Sequence, residues 1–113
     1  MKPNWTETTP VSITVCDRDG KIVEMNAASR ETFTKYGGEK LLGQSLYDCH
    51  NENSGRIIRE LMDENRSNIY MIERGGKRQL ICQLPYQDGD AVGGLVEIFI
   101  DLPENMPTHK RGE

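Results

Sequence analysis

The 113 residues carry 14 Lys and Arg against 18 Asp and Glu, a formal net charge of -4, with 35% hydrophobic residues. That length suits one domain, and the modest apolar share implies a core that is thin, hollow or completed by another chain. The basic residues are scattered, with small clusters only at Lys77-Arg78 and Lys110-Arg111, so the basic stripe of a nucleic-acid binder is missing.

No apolar run approaches the length needed to cross a bilayer. The opening Met1-Lys2-Pro3-Asn4-Trp5-Thr6-Glu7 lacks the apolar stretch of a signal peptide. Three cysteines, Cys16, Cys49 and Cys82, form an odd count without paired spacing, which argues against a disulfide framework and for ordinary thiols. The expected setting is the reducing cytoplasm, with no membrane and no direct nucleic-acid contact.

Residues 1–10 are polar with Pro3 and Pro10, and 103–113 hold two prolines and little to bury, so both read as flexible segments flanking a domain over 11–102. Val11, Ile13 and Val15 alternate with Ser12, Thr14 and Cys16 at the period of a half-buried strand. Asp17-Arg18-Asp19-Gly20 is a turn, and Lys21 to Met25 returns as the second arm of a hairpin. Trp5, the only tryptophan, either covers a sheet face or belongs to the loose end.

Asn26 is placed to cap a helix beginning at Ala27 and running through Phe33, which Gly37-Gly38 stops. A short helical turn fits Glu39 to Leu42. Asn51, Asn53 and Ser54 are alternative caps for a further helix reaching about Asn65, with Ile57, Ile58, Leu61 and Met62 on one face. The last third reads as a meander: a strand over 68–74, a Gly75-Gly76 turn, a strand over 77–86, a turn over 87–90 and a strand over 92–102. Val96, Ile98 and Ile100 on one parity and Leu95 and Phe99 on the other make the last strand apolar on both faces, hence central in its sheet.

Three stretches carry a family resemblance. They are Ile13-Thr14-Val15-Cys16-Asp17-Arg18-Asp19-Gly20-Lys21-Ile22-Val23, then Met25-Asn26-Ala27-Ala28, then Leu41-Leu42-Gly43-Gln44-Ser45-Leu46. In this order, followed by a helix and three strands, they make 11–102 resemble a PAS domain. The resemblance implies an α+β fold, with a five-stranded antiparallel sheet in spatial order 2-1-5-4-3 and helices on one face. It also implies a pocket between helices and sheet, which here would draw on Phe33, Leu46, Ile57, Ile58, Leu61, Met62 and inward residues of the last three strands. Gln79 and Gln83, which share one strand parity, either supply polar pocket positions or face solvent.

Some haem-binding members of that family place an axial histidine near His50. The polar neighbours Tyr47-Asp48 and Asn51-Glu52-Asn53 argue instead for a capping or surface histidine. The light-sensing flavin subgroup has Asn-Cys-Arg where this chain has Asp48-Cys49-His50, which argues against flavin photochemistry. Cys49 and His50, as adjacent residues, make a poor nucleophile dyad, and the scattered His and Cys give no zinc pattern. Gly75-Gly76 and Gly93-Gly94 read as turn or bulge glycines rather than a nucleotide loop.

The sequence therefore predicts a sensory module that binds a small ligand or a partner and relays a conformational change to a signalling partner or a parent-chain output domain, with no catalysis of its own. The alternative is a ligand-free interaction domain with a filled core. In either case the two-sided apolar sheet favours a homodimer through its face. Cavity volume distinguishes the two readings.

Overall fold

Why Ser12–Asp17 (β1) forms a strand is plain from its period-two pattern, but the covered parity is the polar one. The computed structural model, which describes residues 1–112 apart from the side chain of Cys49, buries Ser12, Thr14 and Cys16 under the helices. Ile13 and Val15 stand half-buried on the opposite, outer face. Alternation alone identifies the strand without saying which parity the helices cover, since both faces here have something to offer.

The elements follow as α1 (Trp5–Thr8), β1, β2 (Ile22–Met25), α2 (Ala27–Thr32), α3 (Glu52–Glu64), β3 (Asn68–Arg74), β4 (Lys77–Asp88) and β5 (Ala91–Asp101). Single 3-10 turns occupy Thr34–Tyr36, Gly38–Leu41 and Leu46–Cys49 between α2 and α3. The strands form one antiparallel five-stranded sheet in the order β2-β1-β5-β4-β3, as the resemblance implied. β5 lies between β1 and β4, the central place its two apolar parities require.

Local chemistry sets the joints. The Asn26 side chain caps α2 by accepting from Ser29 N, and Asn51 does the same for α3 by accepting from Ser54 N, which resolves the choice among the three candidate caps. α3 ends where Asn65 takes a left-handed conformation. The Gly43-Gln44-Ser45-Leu46 linker runs along the free edge of β2, exchanging bonds between Ile22 N and Gln44 O (2.9 Å) and Gly43 N and Ile22 O (2.8 Å). That covers one sheet edge. The other, β3, keeps Ile69, Tyr70 and Met71 exposed.

The N-terminal segment departs from the looseness its composition suggests. Trp5–Thr8 makes one helical turn, held because Asn26 Nδ2 donates to both Thr6 O and Val11 O (each 2.8 Å) and because Glu7 pairs with Arg30. Pro3, Asn4 and Trp5 remain exposed.

The main core lies between α3 and the sheet. Ile58, Leu61 and Met62 pack with Cys16, Ile22, Met25, Leu41, Leu46 and Leu95, and Ile57 flanks the cluster half-buried. Tyr47 wedges its ring between the hairpin turn and α3. A side chain at Gly20, whose φ is +87°, would strike that ring, and Gly55 on α3 is packed against its other edge. Arg59 caps the ring at 4.2 Å from its centroid.

Candidate functional site

The inner sheet face and the segment following α2 do not meet everywhere, and a cavity of about 190 Å³ remains between them. Thr14, Ile22, Met25, Glu97 and Phe99 form its sheet side. Phe33, Tyr36, Leu41, Leu46 and His50, from the end of α2 and the 3-10 segment, form the cover. Phe33 and Phe99 meet edge to face across it, with centroids 5.7 Å apart and an interplanar angle of 64°. Apolar walls with few polar groups are the general pattern of a small-molecule site.

Of the residues that the sequence assigned to a pocket, Phe33 and Leu46 line this cavity, and His50 joins them. Ile58, Leu61 and Met62 lie in the solid core with Leu95 and Cys16 instead, and Ile57 flanks it. Gln83 sits just behind the lining, where its Nε2 donates to Glu97 Oε2 at 3.0 Å. Gln79 shares the inward parity but lies at the far end of the sheet. There it donates to Asp101 (2.9 Å), beside an open polar groove of about 710 Å³ also lined by Arg78 and Leu102.

The α3 set was displaced for a physical reason. Its apolar face is filled to contact by β4 and β5, while the shorter α2 and its trailing turns leave the gap. Sequence reasoning missed Thr14, Ile22, Met25, Tyr36 and Leu41 as lining residues, and reached Glu97 and Phe99 only as unnamed inward residues of the last three strands. Glu97 had a signal: it is a lone acid inside the apolar run Leu95 to Ile100 of a central strand, where a charge is costly.

His50 Nδ1 lies 2.8 Å from Leu46 O, which fixes its ring against the backbone. A porphyrin or a flavin ring system exceeds a cavity of this volume, which is close to the roughly 150 Å³ that holds a benzene-sized guest. The residues present therefore do not fit haem through His50, nor a flavin. The Cys49 side chain, and with it the Cys49–His50 pairing, lies outside what the structure describes. Among the described residues no cluster of three or more His, Cys, Asp or Glu side chains could hold a metal, and no helix is long and apolar enough to cross a membrane.

Two thiols are described, Cys16 and Cys82, both free and buried. Burial pushes the Cys16 thiol up to about 11. The Arg30 guanidinium, hydrogen-bonded to Glu7, holds that carboxyl below its ordinary value of 4.5. Burial also raises the Tyr47 and Tyr70 hydroxyls.

A sheet of this order roofed on one face, with a small cavity under the roof, defines the class, and sequence comparison agrees. Residues 6–105 match the PAS fold family, and the chain belongs to it. No match was found among curated proteins. Among solved structures, the PAS domain of histidine kinase ThkA is similar at 20% identity and a TM-score of 0.67, over 80% of this chain and 98% of that one. The Aer2 receptor of Vibrio cholerae, described as a dual PAS-haem oxygen sensor, is similar at 15% identity and a TM-score of 0.64, over 82% and 95%. A PAS domain from Colwellia psychrerythraea is similar at 17% identity and a TM-score of 0.64, over 89% and 93%.

Proposed function

We propose that the chain is a sensory, signal-transducing module: it takes a small molecule into the cavity beneath the segment that follows α2 and passes the resulting population shift to a partner or an attached output domain. The observation that carries this reading is the cavity itself, about 190 Å³ lined by mixed apolar and polar groups, where a filled interaction domain would be packed to native density. The relatives named as a histidine kinase and an oxygen receptor are of the same fold and lend the sensory reading support. Fold alone does not assign a ligand.

The route for a signal begins at Asn26. Its Oδ1 accepts from Ile13 N and Ser29 N (each 2.9 Å), and its Nδ2 holds Thr6 O and Val11 O. One side chain thus ties the strand under the cavity, the helix that leads into its cover and α1 together. A ligand preferring one arrangement of α2 shifts all three, provided its affinity differs between the states.

The outer sheet face supports a homodimer as the form in which this module works. Ile13, Val15, Leu84, Val96, Ile98 and Ile100 cover it at half burial, with Ile69 and Met71 exposed at its β3 side. A self-complementary apolar face suits two-fold pairing with a second copy. The buried free thiols are consistent with a reducing cytoplasm. No catalytic output is assigned to the chain.

Native mass spectrometry of freshly purified protein tests both parts at once. The expected result is a dimer carrying additional mass that denaturation releases. An apo monomer, unchanged on concentration, would sink the reading.

A further inference from the structure

A row of polar side chains crosses the inner sheet face from strand to strand. Asn68, Gln83, Glu97 and Thr14 are successive cross-strand partners on β3, β4, β5 and β1. Asn68 Nδ2 donates to Gln83 Oε1 at 2.9 Å, and Gln83 Nε2 donates to Glu97 Oε2 at 3.0 Å. At the other end Thr14 Oγ1 lies 2.6 Å from Ser29 Oγ on α2. The row is bonded on both sides and broken once, between Glu97 and Thr14, and both of those residues line the cavity.

Glu97 is therefore the end acceptor of a donor chain that points at it. It is 6% exposed, and a carboxylate has sites for about four donors, of which Gln83 fills one. Among the described residues Glu97 joins no ion pair, and the one basic side chain in the cavity lining is His50, whose Nδ1 is taken up against Leu46 O at 2.8 Å. A buried carboxylate with one neutral partner is costly unless a cation or further donors reach it.

We infer that the cavity selects a small organic cation, an amine or amidine on a flat apolar body, with Glu97 as its counter-ion. The inference rests on the reading of the cavity as a ligand site and names the ligand's chemistry. The N–H groups enter the break in the row, donating to Glu97 and to the Thr14 hydroxyl oxygen. Phe33 and Phe99 pack against the body, and their ring faces add cation–π attraction. An anion of the same size meets Glu97 at close range and is repelled.

Calorimetric titration of the full chain with four probes of one size tests this: benzylamine, benzamidine, benzyl alcohol and benzoate. The two cations are expected to bind about tenfold or more tighter than benzyl alcohol, as a charge-assisted hydrogen bond gives, with no detectable benzoate binding. Glu97→Gln, confirmed as folded by circular dichroism, should bring benzylamine down to the level of benzyl alcohol. The wild-type series stands alone should that variant not fold. Benzyl alcohol binding as tightly as benzylamine would overturn the cation assignment and leave the cavity reading intact, as would benzoate binding comparably. Binding of none of the four would overturn both.

Discussion

Thr14 on β1 and Ser29 on α2 share a hydrogen bond of 2.6 Å at the wall of the cavity, with Ser29 wholly buried. It is a direct side-chain link between α2, which leads into the cavity's cover, and the strand that forms its floor. Thr14→Val keeps the shape and removes the hydroxyl, leaving Ser29 without its partner. The expected loss is about 1–3 kcal/mol in urea unfolding. Adding Ser29→Ala should restore a substantial part of it, because the orphaned group is then gone. A double variant as unstable as the sum of the two single changes would show that this bond is not what holds the pair.

Asn26→Ala removes more than a helix cap. Besides losing the bond to Ser29 N, it strips partners from Ile13 N, Thr6 O and Val11 O. The destabilisation should exceed the roughly 1 kcal/mol of an ordinary N-cap. Amide exchange in residues 5–8 should rise even in conditions where the rest of the fold persists. Unchanged protection there would separate α1 from α2.

The Glu7–Arg30 pair gives that attachment a pH dependence. The Glu7 carboxyl lies below its ordinary value of 4.5 because Arg30 hydrogen-bonds it. A group with a lowered folded value contributes stability above its unfolded value and loses it as pH falls through the folded one. The docking of α1 should therefore be constant at neutral pH and weaken below about pH 4.5. Trp5 fluorescence can follow it, and Glu7→Gln should abolish that acid transition.

Gly94 sits opposite Asp17 in the β1–β5 ladder, and a Cβ there would land on the Cys16 carbonyl oxygen and on the Tyr86 ring. Tyr86 donates its hydroxyl to that same carbonyl at 3.2 Å. Gly94→Ala should cost at least the upper end of the about 1–3 kcal/mol typical of overpacked sites, since backbone rather than a flexible tip must move. Gly75→Ala has open space around it and only a φ of +59° against it, so it should cost less. Equal unfolding midpoints would contradict the packing described.

Much of the architecture was legible because each signal had one physical reading. The Asp17–Gly20 turn, the Asn26 cap and the two apolar parities of β5 led to the hairpin, α2 and the central strand. The cavity was less legible for two reasons. The polar parity of β1 is the covered one, which alternation cannot reveal when the opposite face is also apolar. The strongest amphipathic helix, α3, fills its space, so the gap fell beside α2 and the irregular 3-10 segment, where Tyr36 and Leu41 carry no periodic signature. The one-turn α1 rests on tertiary bonds from Asn26 and Arg30 that composition cannot show.

The proposed route runs from a small molecule held between the sheet and the segment that follows α2, through Asn26, to α1. Amide chemical-shift mapping of the full chain titrated with benzylamine tests it most directly. Saturable shifts are expected at Thr14, Phe33, His50, Glu97 and Phe99, extending through Asn26 to Thr6 and Glu7. Shifts confined to the outer face around Ile69 and Met71, with those residues unmoved, would contradict it.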